Sequence, residues 1–270
     1  MQFADTWPIG MVWAAVAACL WAAFELGRFL RRRSHFAGGQ SLDTKDIGFL
    51  VPSAFGLLSL LIGFTFSLAL NRYESRRDLI VAEAAQIRLA ALRAEALPAP
   101  ADAAMAGMLR AYVGSRLAFF EVGTSPTAIR TAQANSDRLQ DQMWREVRAA
   151  GALPGGAQPA RDVADALAPM IAIGMQRETA AVERIPARVL DLLFLFALLA
   201  MTILGHGTGA TPGRPWTPSL AFTVIVSAAI VLIVDLDRPR SGDIRVSQAP
   251  MLELHASLRA SGPPASAAGP

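Results

Sequence analysis

Two short runs of the chain are dense in ionisable side chains. In DLDRPRSGDIR, Asp235, Asp237, Arg238, Arg240 and Arg245 crowd together, and at that density acid and base can pair with each other or with a neighbouring helix. In NRYESRRDLIVAE stand Arg72, Glu74, Arg76, Arg77, Asp78 and Glu83. Glu74 and Asp78 share a helical face at four-residue spacing, and Arg72 and Arg76 share another. Exposed pairs of this kind contribute about 0.3–0.5 kcal/mol each. The run therefore reads either as a solvated helix face or as a collar of fixed charge that sorts ions by sign.

Other chemistry is missing from the sequence. The histidines, His35, His206 and His255, have no second His, Cys or carboxylate at metal-ligand spacing. There is no phosphate-binding loop, dinucleotide glycine pattern or nucleophile elbow. GHGTGATPG is glycine-rich but reads as a flexible turn between two apolar segments. Cys19 is the single cysteine, so no disulfide framework forms within one chain. Catalytic, cofactor-binding and metal residues are expected to be none, and no enzyme is expected.

The elements that must carry these runs are read from hydropathy. The chain has 270 residues, 53% hydrophobic and only 17% charged, against roughly 25% charged in soluble domains. Its mean hydropathy is +0.36. The apolar excess sits in four blocks, at residues 8–30, 48–70, 187–205 and 216–234. A helix needs about 20 apolar residues to cross a hydrocarbon core, so each block suits a span. The first has no basic residue before Arg28 and ends in RRRSHF, unlike a cleavable leader. Residues 71–186 are ordinary amphipathic sequence, and their helical stretches predict an antiparallel bundle. The expected stretches are Asn71 to Leu97, Asp102 to Val122, Thr127 to Ala150 and Asp162 to Arg184. Residues 235–258 form a tail motif, of which Asp235 to Leu254 is expected to pack back on the helix entered at Asn71. Residues 259–270 are low in bulky side chains and are expected to be disordered. The fold class is thus an all-α membrane protein, with four transmembrane helices and a helical soluble module between spans two and three.

Net charge is +3. Arginines in residues 72–184 are matched almost one for one by Asp and Glu, so no nucleic-acid face stands out. The expected partners are the lipid bilayer, further copies of the chain and anions. Orientation is contested. Arg28, Arg31, Arg32, Arg33 and Lys45 flank the first loop and argue for a cytoplasmic loop, while Arg72, Arg76, Arg77, Arg184, Arg238, Arg240 and Arg245 crowd the opposite side.

Within the second block, Ser59, Gly63 and Ser67 recur every four residues, a small-residue stripe that lets helices approach closely in lipid. Leu58, Ile62, Phe66 and Leu70 form an adjacent apolar row. In an oligomer with this helix near the axis, that row could line a hydrophobic constriction, and such constrictions gate ions by dewetting. The bland alternative is that both rows pack against other spans.

The segments LLSLLIGFTFSLALNRYESRRDLIVAEAAQI and LDRPRSGDIRVSQAPML resemble the bestrophin-like family of bacterial membrane proteins, a domain of unknown function. The likeness covers residues 48–258 in order and spacing. It implies distant kinship with bestrophins, pentameric anion channels with four spans and a large helical cytosolic part, in which the second span carries the pore neck and runs into a charged helix. Gly63 to Glu83 is similar to that junction. Two features depart from the family pattern. The acidic cluster that binds calcium in the animal proteins has no counterpart beyond Asp235, Asp237, Asp243 and Glu253. Asp78, Leu79 and Ile80 stand where the bacterial channels have an aromatic pair. The resemblance implies a multi-pass protein of the bacterial inner membrane, with its module on the cytoplasmic side. A candidate oligomeric anion channel follows from it; the alternative is a non-conducting scaffold or envelope sensor whose helical module binds a partner.

Overall fold

The computed structural model describes residues 7–36, 44–121, 123, 125–208, 216–239 and 242–260. Eight helices and no strand occur among them: α1 Ile9–Phe36, α2 Thr44–Ala94, α3 Ala101–Glu121, α4 Pro126–Gly151, α5 Ala157–Ala180, α6 Ala187–Thr208, α7 Trp216–Leu236 and α8 Ala249–Ala260. By length and composition, four of them can cross a membrane: Ile9–Arg33, Phe49–Ala94, Ala187–Thr208 and Thr217–Leu236. The fold is the all-helical membrane architecture that the hydropathy pattern predicts.

α2 is a single helix of 51 residues that continues through Pro52 and past the charged run without a break. A proline inside a spanning helix is tolerated where local adjustment re-satisfies the freed carbonyl. The sequence between Leu70 and Glu83 holds no glycine or proline to stop the helix, so it carries on. It ends before LPAP, where proline cannot continue it.

α5 starts earlier than the Asp162 expected from the glycine- and proline-rich run before it, and stops at Ala180, short of Arg184. Pro159 falls in its first turn, where a missing N–H costs nothing because those donors have no partner inside the helix.

The chain divides into two compact units. The first holds Met1–Tyr73 and Arg184–Arg245, hence α1, the first part of α2, α6 and α7. Its core is Leu20, Phe24, Leu58, Leu193, Ala197, Met201, Ile230 and Ile233, and α1 packs against both α6 and α7. The α1–α6 contact is made by glycines at both sides. A Cβ on Gly27 would overlap the Thr202 carbonyl and lie 2.8 Å from the His206 amide nitrogen. One on Gly205 would overlap the Phe24 carbonyl and lie 3.1 Å from its Cα.

The second unit holds Glu74–Glu183 and Val246–Pro270. In it α3 packs on α4 and α8, and α4 on α5. Met105, Leu109, Tyr112, Met143, Leu167 and Met170 fill its core, together with Ile80 and Ile87 of α2. The tail enters this core through Met251 and Leu254 of α8, which packs on α3. Arg259 and Ala260 are helical, in α8, where the composition of residues 259–270 suggested disorder. The remainder, 261–270, lies outside the described residues.

Candidate functional site

Two features of α2 carry the site: an open face in the first unit and a buried charge cluster in the second. In the first unit, Leu58 is 1% exposed, and Thr65 and Ala69 are also buried. Ile62 and Phe66 pack against the same core, and Phe55 meets Phe222 edge-on at 4.6 Å. Leu70 is half-buried. Leu58 thus faces the core of the first unit, with half-buried Ile62 and Phe66 packed against that core. The reason is register. Each residue turns a helix by about 100°, and the flank that α2 buries is the one through Leu58.

The opposite flank is uncovered. Ser59, Gly63 and Ser67 are exposed, and space for a Cβ at Gly56 or Gly63 meets nothing within 4 Å. Leu57, Leu60, Phe64 and Leu68 are exposed beside them, Phe64 by 68%. α2 therefore presents a stripe of small residues next to a row of large apolar ones, neither covered by the described residues.

The charged run divides in the same way. Glu74, Arg77 and Asp78 are exposed and Arg72 is half-buried. Arg76 and Glu83 are not on an open rim. Arg76 is 7% exposed; its Nε donates to the Ala180 carbonyl at 3.0 Å and an Nη to the Glu183 carbonyl at 2.8 Å. It satisfies carbonyls at the end of α5 that the helix itself leaves open. Glu83 is fully buried. Its Oε1 lies 2.6 Å from Arg116 Nε, and its Oε2 accepts from an Arg177 Nη at 2.6 Å. Arg116 also pairs with Glu178 and donates to the Gly174 carbonyl at 3.0 Å. Gln133 donates to Glu178 at 2.7 Å. Arg177 donates to the Gln248 side-chain oxygen ahead of α8, and its guanidinium lies 3.7 Å from the centroid of the Phe120 ring, a cation–π contact.

The sequence carried a signal for this cluster. Glu83 lies on the face of Ile80, Ala84 and Ile87, and Arg116 on the face of Leu109, Tyr112 and Val113. A charge placed on an apolar stripe is paired if the helix is to bury it.

Electrostatically the cluster is two arginines against two glutamates. Burial penalises the Arg116 cation, but Glu83 first, then Tyr112 and Glu178, more than offset this and raise its pKa. For Arg177 burial prevails over Glu83 and draws the pKa down. Burial pushes the Tyr112 hydroxyl up to about 12, against the pull of Arg116. Because the folded form holds the Tyr112 proton more tightly than the unfolded chain, this contribution is complete below pH 10 and is lost as pH rises towards 12. Unfolding followed by circular dichroism should therefore show stability falling over that window. Tyr112→Phe should flatten the fall, and an unchanged slope in that variant would remove Tyr112 as its cause.

The tail motif is a knot within the first unit. Asp235 accepts the amides of Asp243 at 2.9 Å and Ile244 at 3.0 Å. Asp237 accepts the Ile185 amide at 2.8 Å, just before α6. Buried Arg238 reaches the Trp7 carbonyl at 3.4 Å, just before α1. Arg245 is exposed and donates to the Gly242 carbonyl at 3.0 Å. Arg240 lies outside the described residues. Among the described residues, no three His, Cys, Asp or Glu side chains gather closely enough to hold a metal ion.

Four membrane-length helices and a helical unit threaded through α2 define an all-helical membrane protein with a large extramembrane module. The bestrophin-like domain matches residues 13–251, and the chain belongs to that family. This agrees with the resemblance carried by its two motifs. A bacterial bestrophin homologue from Klebsiella pneumoniae, in a variant form, is 16% identical, with a TM-score of 0.67 over 93% of this chain and 99% of its own. A second structure of that homologue is 18% identical, with a TM-score of 0.62 over 93% and 97%. A structure described as a membrane protein is 17% identical, with a TM-score of 0.64 over 93% and 97%. At these identities the likeness is one of fold. No curated protein matches the chain.

Proposed function

We propose that this protein is a homo-oligomeric ion channel of the bacterial inner membrane and not an enzyme, with anions as the candidate cargo and α2 lining the pore. The observation that carries this reading is the uncovered face of α2. Lipid would cover Leu57 and Phe64 readily, but it gains little from Ser59, Gly63 and Ser67, which suit a close neighbour. In a ring of copies the small stripe takes the adjacent helix, and Leu60 and Phe64 turn towards the axis as a hydrophobic constriction. The row assigned to the lumen is thus Leu60 and Phe64, in place of Leu58, Ile62 and Phe66. Exposed Glu74, Arg77 and Asp78 follow as the mouth of the pathway, and the module lies on the cytoplasmic side, as in bestrophins.

Mass measurement in mild detergent and conductance in planar bilayers test this. A ring of four or more copies is expected, with chloride current in a salt gradient. Phe64→Ala should raise the conductance several-fold by relieving the dewetted neck, whereas the exposed lipid-side change Leu195→Ala should leave it alone. A monodisperse monomer or dimer that passes no current would instead favour the scaffold.

A further inference from the structure

The second unit leaves two apolar stripes uncovered. On α2, Val81, Ala85, Leu89 and Leu92 follow one another at helical spacing and are all exposed, Val81 by 50% and Leu92 by 56%. On α5, Ala172, Met175 and Thr179 do the same, and the stripe runs off the helix end onto Val182, with Met175 63% and Val182 71% exposed. Each stripe is about 15 Å long at 1.5 Å per residue; exposed Arg88 borders the first, and the second holds no charge. Lipid does not cover the first. The uncharged stretch of α2 ends at Leu70, and Val81 lies about 16 Å further along the helix, beyond Arg72, Glu74, Arg77 and Asp78. Contiguous apolar surface of this kind in an aqueous part marks a protein contact.

We infer that the α2 stripe of one copy packs on the α5 stripe of the next. This rests on the ring assembly proposed above and adds its contact in the second unit. The occupant follows from there being two different stripes of equal length. A two-fold pairing of copies through α2 would leave the α5 stripe wet, and a foreign partner would have to supply two separate faces. A head-to-tail contact between copies, closing into a ring, covers both stripes on every chain. Heights also agree. Within the unit, Arg76 reaches the carbonyls of Ala180 and Glu183, and Glu83 pairs with Arg177, so α5 runs antiparallel to α2. Rotation about an axis along α2 keeps every copy level. Val81 then meets Thr179, Ala85 meets Met175 and Leu89 meets Ala172 of the neighbouring copy.

The test is disulfide trapping of the full chain in detergent, in a Cys19→Ser background because Cys19 is exposed. Ala85→Cys and Met175→Cys both fall on exposed positions, so either variant should keep the fold. Oxidised together in one chain, they should give a ladder of covalent multimers. When the two single variants are co-expressed, they should give at least tenfold more covalent dimer than either alone, which also excludes a link within one chain. Dimerisation of Ala85→Cys by itself would mean a two-fold contact and would overturn the inference. An oligomeric mass without cross-linking would overturn this interface and leave the channel assembly standing. A monomeric mass would remove both.

Discussion

Glu83→Gln should unfold the module far more easily than any change on its surface, by about 3–5 kcal/mol, the usual cost of removing one partner from a buried ion pair. Glu83 and Arg116 have fully buried side chains, and Arg177 is 2% exposed. Without the carboxylate, two guanidinium groups stay in the core with Glu178 as the remaining carboxylate beside them. Asp78→Asn, four residues after Glu74 on an exposed face, is the control and should stay within about 0.5 kcal/mol of the parent. Thermal unfolding in detergent, followed by circular dichroism, compares them. Equal stability of the two variants would mean that the cluster does not hold the unit together. A further variant separates charge from packing. Glu83→Met with Arg116→Met, Arg177→Leu and Glu178→Met removes the cluster whole and should recover most of the loss, since apolar replacement of a complete buried set is often neutral or better.

That expectation concerns the part of the molecule that hydropathy reads least well. The apolar blocks are long and uncharged, so α1, α2, α6 and α7 could be placed from the sequence by length alone. The two motifs around Gly63 and Asp235 were specific enough to show the family. The use of each charge was less legible. Arg76 and Glu83 look like Arg77 and Asp78 in a list of residues. What separates them is one register step: Arg76 turns to the carbonyls at the end of α5 and Glu83 to two arginines, while Arg77 and Asp78 stay exposed.

The same step decided the apolar rows of α2. Leucine and phenylalanine occur on both flanks of the Ser59, Gly63, Ser67 stripe, so composition cannot tell which flank a bundle buries. The deciding contacts come from distant segments. Leu58 belongs to a core with Leu193, Met201 and Ile233, and Phe55 is fixed by Phe222 of α7. The knot of the tail is long-range in the same sense. Asp237 finds the Ile185 amide, and Arg238 finds the Trp7 carbonyl near the start of the chain. Their dense charge was visible in the sequence, but their partners were set by the return of α7 beside α1.

Gly27→Val, or Gly205→Val, should disrupt the first unit outright. These glycines are where the backbones of α1 and α6 touch, each pointing at a carbonyl of the other helix: Gly27 at Thr202 and Gly205 at Phe24. A side chain there meets main chain, which cannot rotate aside, so the helices must separate or slide. Overpacking commonly costs about 1–3 kcal/mol, and that range is the expectation for Gly27→Ala. The two further methyl groups of valine should take the loss beyond it. Close approach between small residues is also what holds helices together in lipid, where no hydrophobic force draws them, so separating the backbones forfeits packing along the whole contact. Gly10→Ala is the matched control. It too is a helical glycine of α1, but its Cβ would meet nothing within 4 Å, and alanine should gain up to about 1 kcal/mol from helix propensity. Unfolding of the four variants by a denaturing detergent gives the comparison. A stable, monodisperse Gly27→Val would show that α1 and α6 do not meet backbone to backbone at this point.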